Sequence, residues 1–151
     1  MTLHKTAAVN SGLTPDWTKP GVELVRTSIH TTADDTLVSG DTLQLVPVPK
    51  GAKILDVIIS AILASGCSGE DVGYGGDPDA FMAAAKFDAV SGGGYQSMVA
   101  SKKATAGFLT VFTHADTIDL ALVKSPTKIP TSTTIKTVVR YVMVGTIEDE
   151  S

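Results

Sequence analysis

Residues Asp71 to Phe81 read DVGYGGDPDAF and gather three aspartates and three glycines into eleven positions. Oxygen-rich loops hold hard cations, and glycine-rich loops cradle phosphates. Spacing argues against both. An EF-hand wants oxygen ligands at positions 1, 3 and 5 and glutamate at 12. Counted from Asp71, position 3 is Gly73, position 5 is Gly75 and position 12 is Met82. No Gly-Lys-Ser/Thr follows, so the stretch is no P-loop. An irregular Ca²⁺ site built from Glu70, Asp71, Asp77 and Asp79 is the ion-binding reading that survives. The plainer one is a turn feeding a helix, with Asp77 as N-cap, Pro78 at the first helical position and Asp79 favoured by the helix dipole.

The remaining reactive side chains are sparse. His4, His30 and His114 lie far apart, and His114-x-Asp116-x-x-Asp119 spans a strand end and a turn, where polar residues are expected anyway. A cupin metal site would need two histidines one residue apart with a glutamate, and a serine hydrolase an elbow such as G-x-S-x-G. Neither is present; Gly66-Cys67-Ser68-Gly69 is not an elbow. Cys67 is the only cysteine, which excludes an intramolecular disulfide and a cysteine-based zinc cluster, and its expected state is a packed thiol. The expectation is a protein without catalytic residues, metal or cofactor.

The elements that would position these residues are mostly strands. The 151 residues suit one domain, and 43% hydrophobic content supports a core. With aromatics at 5%, Val, Ile, Leu and Ala must build it. Nineteen threonines add to the β tendency. A net charge of −4 and scattered lysines lack the basic stripe that nucleic acid requires. The longest apolar run, Val57 to Ala64, falls short of the ~20 residues that cross a bilayer. The N-terminus has no apolar signal core, so neither secretion nor membrane insertion is expected.

Along the chain, residues 1–21 are polar, broken by Pro15, Pro20 and Gly21, and carry the single tryptophan, Trp17. They read as an extended arm anchored by Trp17, or as a frayed tail. Strands are expected over Val22–Thr31, Thr42–Pro49, Lys53–Leu63, Gly107–His114, Thr117–Ser125 and Thr133–Gly145. Pro47 and Pro49 end the second of these or place it at an edge. Gly66–Gly76 reads as a loop, Pro78–Lys86 as a short helix and Ser91–Gly94 as its stop. Residues 146–151 form an acidic tail. Six to eight strands with one short helix give a mainly β fold, a β-sandwich of jelly-roll type spanning 22–145.

SGDTLQLVPVPKGAKILDVII (Ser39 to Ile59), DVGYGGDPDAF, the run ADTIDL and the last strand IKTVVRYVMVG together resemble a pattern of tailed-bacteriophage head decoration, or capsid cement, proteins. The likeness covers roughly Val22 to Gly145. It implies a jelly-roll-like, often trimeric virion protein that binds the outer capsid surface and staples adjacent major capsid subunits. The expected partners are then the phage major capsid protein and further copies of the chain, with assembly in the host cytoplasm and no part for nucleic acid or membrane. Trp17, with Tyr74 and Phe81 flanking the acidic loop, are the candidate partner-binding residues. The rival classes are a tail or neck component, a carbohydrate- or receptor-binding module and a small hydrolase or metal enzyme.

Overall fold

The β-branched runs pair as strands throughout, and their pairing is nested. The computed structural model describes residues 3–6, 22–32, 37–63, 67, 69–87, 94–101, 107–123 and 133–144. Its strands are β1 (Leu3–Lys5), β2 (Glu23–Thr31), β3 (Thr42–Val48), β4 (Ala52–Ser60), β5 (Glu70–Tyr74), β6 (Asp77–Ala85), β7 (Tyr95–Ser97), β8 (Asp116–Ala121) and β9 (Thr134–Met143). One short helix, α1 (Met98–Ser101), follows β7. The second strand pairs with the last, β3 with β8, β4 with β7 and β5 with β6, all antiparallel. Contacts of β9 with β4 and of β8 with β5 then close two sheets, β2-β9-β4-β7 and β1-β3-β8-β5-β6. A long hairpin rolled up in this way is the jelly roll. The extra strand β1 joins the edge of the five-stranded sheet, parallel to β3.

The core lies between the sheets and consists of aliphatic side chains with a few aromatic ones. Leu43, Val46, Ile54, Ile59, Ile118, Leu120, Val139 and Tyr141 are almost completely buried. Strand β3 is flanked by β1 only over Thr42–Gln44. Pro47 lies beyond that stretch, opposite Thr117 of β8, so its missing N–H leaves no gap in the described ladder. The first strand is pinned by more than its ladder. The Thr6 hydroxyl donates to the Leu45 carbonyl at 2.6 Å, and His4 Nε2 lies 3.3 Å from the Asp41 carboxylate.

Three sequence expectations are corrected. The helix expected over Pro78–Lys86 is strand β6, because tertiary pairing with β5 outweighs the local preference of an Asp-Pro-Asp start and an alanine run. Burying Ala80, Phe81, Met82 and Ala85 in the sandwich gains more than an isolated two-turn helix could hold on its own. The described helix forms instead at Met98–Ser101, where the Ser97 hydroxyl caps it by accepting from the Ala100 N–H at 3.2 Å. The loop expected over Gly66–Gly76 contains β5, and only Gly75-Gly76 forms the turn to β6. Gly73 is required there: a Cβ at this position would lie 2.1 Å from the Asp77 carbonyl oxygen and 2.3 Å from the Pro78 carbonyl carbon.

The segment Gly107–His114 is the third. It makes a turn at Phe108-Leu109, with Leu109 at φ 63, and a single bridge from Val111 to Lys53. It still seals the edge of the sandwich. Gly107 N–H donates to Ala80 of β6, while Leu109 and Phe112 N–H donate to Ile54 and Ala52 of β4. The remaining strand expectations agree with β2, β3, β4, β8 and β9 to within a few residues.

Candidate interaction surface

The acidic stretch is pulled apart by its own hairpin. Glu70 and Ala85 form a pair at one end of β5-β6, Tyr74 and Asp77 a pair at the other. Buried Glu70 accepts from the Val123 N–H, and Asp71 accepts from Ala84 N–H at 3.0 Å, beside the φ 54 backbone of Ala84. Asp77 is hydrogen-bonded to Asp79, which with the neighbouring charge raises its carboxyl above the usual range. Asp116 caps its own strand through Thr117 N–H at 2.8 Å, and His114 Nδ1 meets the Thr113 hydroxyl at 3.2 Å. Among the described residues no three His, Cys, Asp or Glu side chains are grouped to hold an ion. Cys67 is fully buried.

The expected partner residues separate as well. Phe81 is fully buried, stacked 6.5 Å from Phe112 with Tyr74 tilted against both at 5.9 and 5.1 Å. As a contact residue it is therefore corrected to a core residue: the strand geometry of β6 turns its ring inward, where a helix would not have fixed it. Tyr74 is half-buried at the rim of this cluster. Trp17 lies outside the described residues, as do 7–21 of the expected arm and the acidic tail.

The feature that sequence reasoning left undecided is strand β2, which is built inside out. Leu24, Arg26, Ser28 and His30 face inward, opposite Tyr141, Val139, Thr137 and Ile135 of β9, all four of which are buried. Val25 and Ile29 point outward and are 55% and 64% exposed. The inward side is correspondingly polar. Burial lowers the pKa of Arg26 and pushes the Tyr141 hydroxyl up to about 12, and the Ser28 and Thr137 hydroxyls are buried with no hydrogen-bond partner among the described residues. A strand at a sheet edge would ordinarily place its β-branched apolar residues in the core. Here they are on the solvent side.

Register carries this apolar character across the four-stranded sheet. Ile29 lies beside Lys136, Lys136 beside Ser60, and Ser60 beside Tyr95, which is 60% exposed. In the next row, Thr27, Val138 and Ile58 are neighbours. Val111 extends the far end of the face beside Lys53, whose neighbour on β9 is Val142. The cations Lys53, Lys136 and Arg140 are interspersed, with Arg140 Nε donating to Glu23. Asp56, also on this side, is buried and fully engaged: it accepts from the Ser97 hydroxyl at 3.0 Å and the Val99 N–H at 3.2 Å. At the Tyr95 end the face runs into an open groove of about 560 Å³ lined by Ser60, Ile62, Tyr95, Thr133, Thr134 and Lys136. Gly94, at φ 99, also lines it, and a Cβ there would press on Ile62 at 3.1 Å.

The outward side of the five-stranded sheet is different. Between inward Ile118 and Leu120, Asp119 lies next to Gln44 and Gly73, and along the same side Ala121 lies between Asp71 and Thr42. Asp119 accepts from the Thr117 hydroxyl at 2.6 Å, but burial with the nearby Asp116 charge raises its pKa to about 6. No family model matches the sequence, and no curated protein sequence does. The fold is shared with chains of phage capsids. One in the capsid of Ralstonia phage GP4 superposes with a TM-score of 0.70 at 19% identity, over 95% of this chain and 99% of that one. Another, in the capsid asymmetric unit of cyanophage Pam1, gives 0.58 at 19% identity over 83% and 91%. At such identity the likeness is one of fold, and with the chain of phage GP4 it extends over nearly the full length of both.

Proposed function

We propose that the chain is a non-enzymatic virion structural protein, a decoration protein that binds the outer surface of the assembled capsid and staples adjacent major capsid subunits. The observation that carries this reading is the end-to-end match with a chain of almost the same size in a phage capsid. The jelly-roll topology and the sequence resemblance to cement proteins support it from two other directions. A cement protein needs a rigid core, and the closely packed aliphatic sandwich suits that need. Many copies on a shell add avidity to a modest single contact, and a trimer would suit local threefold sites.

The test is the copy number of the chain in purified particles. Hundreds of copies, with shells that become less resistant to heat when the chain is omitted, are the expected result. Six or twelve copies would move it to the neck or tail. A second reading has one specific observation in its favour, the exposed Tyr95 above a groove lined by hydroxyls, which suits a sugar ring. Binding on a glycan array that is lost in Tyr95→Ala would establish the carbohydrate-binding alternative.

A further inference from the structure

We infer that the outward face of the β2-β9-β4-β7 sheet is the surface that meets the capsid, and that its partner there presents an apolar patch rimmed by carboxylates. This rests on the capsid reading above and adds which face docks and what chemistry it meets. Exposed apolar side chains recur over the face: Val25 and Ile29 on β2, Tyr95 on β7 and Val111 on the segment beside β4. Half-buried Ile58 and Val138 join them at its centre. Solubility would be better served by turning β2 the other way. A strand that turns Arg26 and His30 inward, half-buried, and exposes Val25 and Ile29 is arranged for a second surface to cover it.

Size and charge narrow the occupant. Four strand positions, the fourth shared by β7 and the segment at Val111, each about 4.8 Å wide, and nine residues of about 3.3 Å give roughly 600 Å² in projection. That is the scale of the ~800 Å² that each side of a standard interface contributes. Lys53, Lys136 and Arg140 face Glu23 as the one exposed carboxylate on these strands, although the whole chain carries −4. A second copy docking through the same face would bring cations against cations. A second copy presenting its five-stranded sheet would supply Asp71 and Asp119 but set threonine, glutamine and glycine against Ile29 and Tyr95. A different surface, apolar at its centre and acidic at its edge, satisfies both terms.

The experiment is cosedimentation of the purified chain with shells of the major capsid protein of the same phage, prepared without the chain. Ile29→Asp combined with Tyr95→Asp is expected to weaken binding at least ~30-fold, the scale of an interface hot spot. Lys136→Glu is expected to weaken it about tenfold and to flatten its salt dependence. Gln44→Lys, on the other sheet, should bind within ~2-fold of the unmodified chain. Circular dichroism and melting of each variant confirm the fold. Unchanged binding by Ile29→Asp/Tyr95→Asp, with loss in Gln44→Lys, overturns the face assignment while leaving the capsid reading in place. An oligomer of the free chain that dissociates on Ile29→Asp overturns it too, by making a second copy the occupant. Failure of the unmodified chain to bind any shell removes the capsid reading, and this partner with it.

Discussion

The two outward faces of the sandwich each carry an aspartate in the middle of a central stretch, and the two are treated oppositely. Asp56, at the bulge of β4, is held by the Ser97 hydroxyl and the Val99 N–H, so its charge is met by donors and also organises the start of α1. Asp119, on β8, accepts from the Thr117 hydroxyl and has the Asp116 charge nearby. One carboxylate stabilises the joint between β4, β7 and the helix. The other is kept ionised at a cost, on a face that is polar and acidic. The contrast teaches that the β2-β9-β4-β7 face ties its central carboxylate into internal structure and leaves apolar side chains outside among cations, whereas the β1-β3-β8-β5-β6 face carries aspartates among threonine, glutamine and glycine.

The sharpest way to break this comparison is Asp56→Ala. It removes the charged acceptor of a buried and a part-buried hydrogen bond, and the loss should be about 2–3 kcal/mol in urea denaturation. A loss below ~0.5 kcal/mol would mean that Asp56 is not the organiser described.

Asp119→Asn should act in the opposite direction, raising stability by ~1–2 kcal/mol at pH 7 once partial solvent screening is allowed for. The sign follows from linkage. With a folded-state pKa near 6 against an ordinary 3.8, the folded protein binds the extra proton between those values, so stability falls as pH rises through that window. The difference between variant and parent should therefore vanish below pH ~4 and reach its full size above pH ~6.5. Denaturation curves at pH 4 and 7.5 check it, and a gap that is equal at both values refutes the raised pKa.

The smallest effect belongs to Ile29→Thr. The side chain is 64% exposed, so folding stability should change by no more than ~0.5 kcal/mol. A loss of 2 kcal/mol would show that Ile29 is part of the fold after all, and would remove the basis for regarding β2 as inside out.

Much of the architecture was legible locally. Strands β2, β3, β4, β8 and β9 were readable from β-branched alternation bounded by turn residues, because those preferences act along a single strand. Strand β6 was not. Asp77-Pro78-Asp79 followed by AFMAAA carries a helix start signal, and the competing pairing with β5 depends on Gly73 admitting the Asp77-Pro78 backbone, which local propensity does not register. The same error displaced Phe81 from the core to the list of contacts. Gly107–His114 looked like a strand from its β-branched content, yet the left-handed Leu109 turns it after Gly107 has closed against Ala80.

The interaction surface was half visible. Sequence alternation separates Val25, Thr27 and Ile29 from Leu24, Arg26 and Ser28, because successive side chains of a strand point to opposite sides. The sign of that alternation cannot be read from the strand itself, and hydrophobicity would have chosen the wrong side. It is set by the register against β9, whose Ile135, Thr137, Val139 and Tyr141 are committed to the core and take Leu24, Arg26, Ser28 and His30 inward with them. The sequence alone determined that this is a β-rich chain with no recognisable catalytic motif. The tertiary structure decided the nesting of its strands, the burial of Phe81 and which side of β2 meets the outside, because each of these depends on pairings between residues distant in the chain.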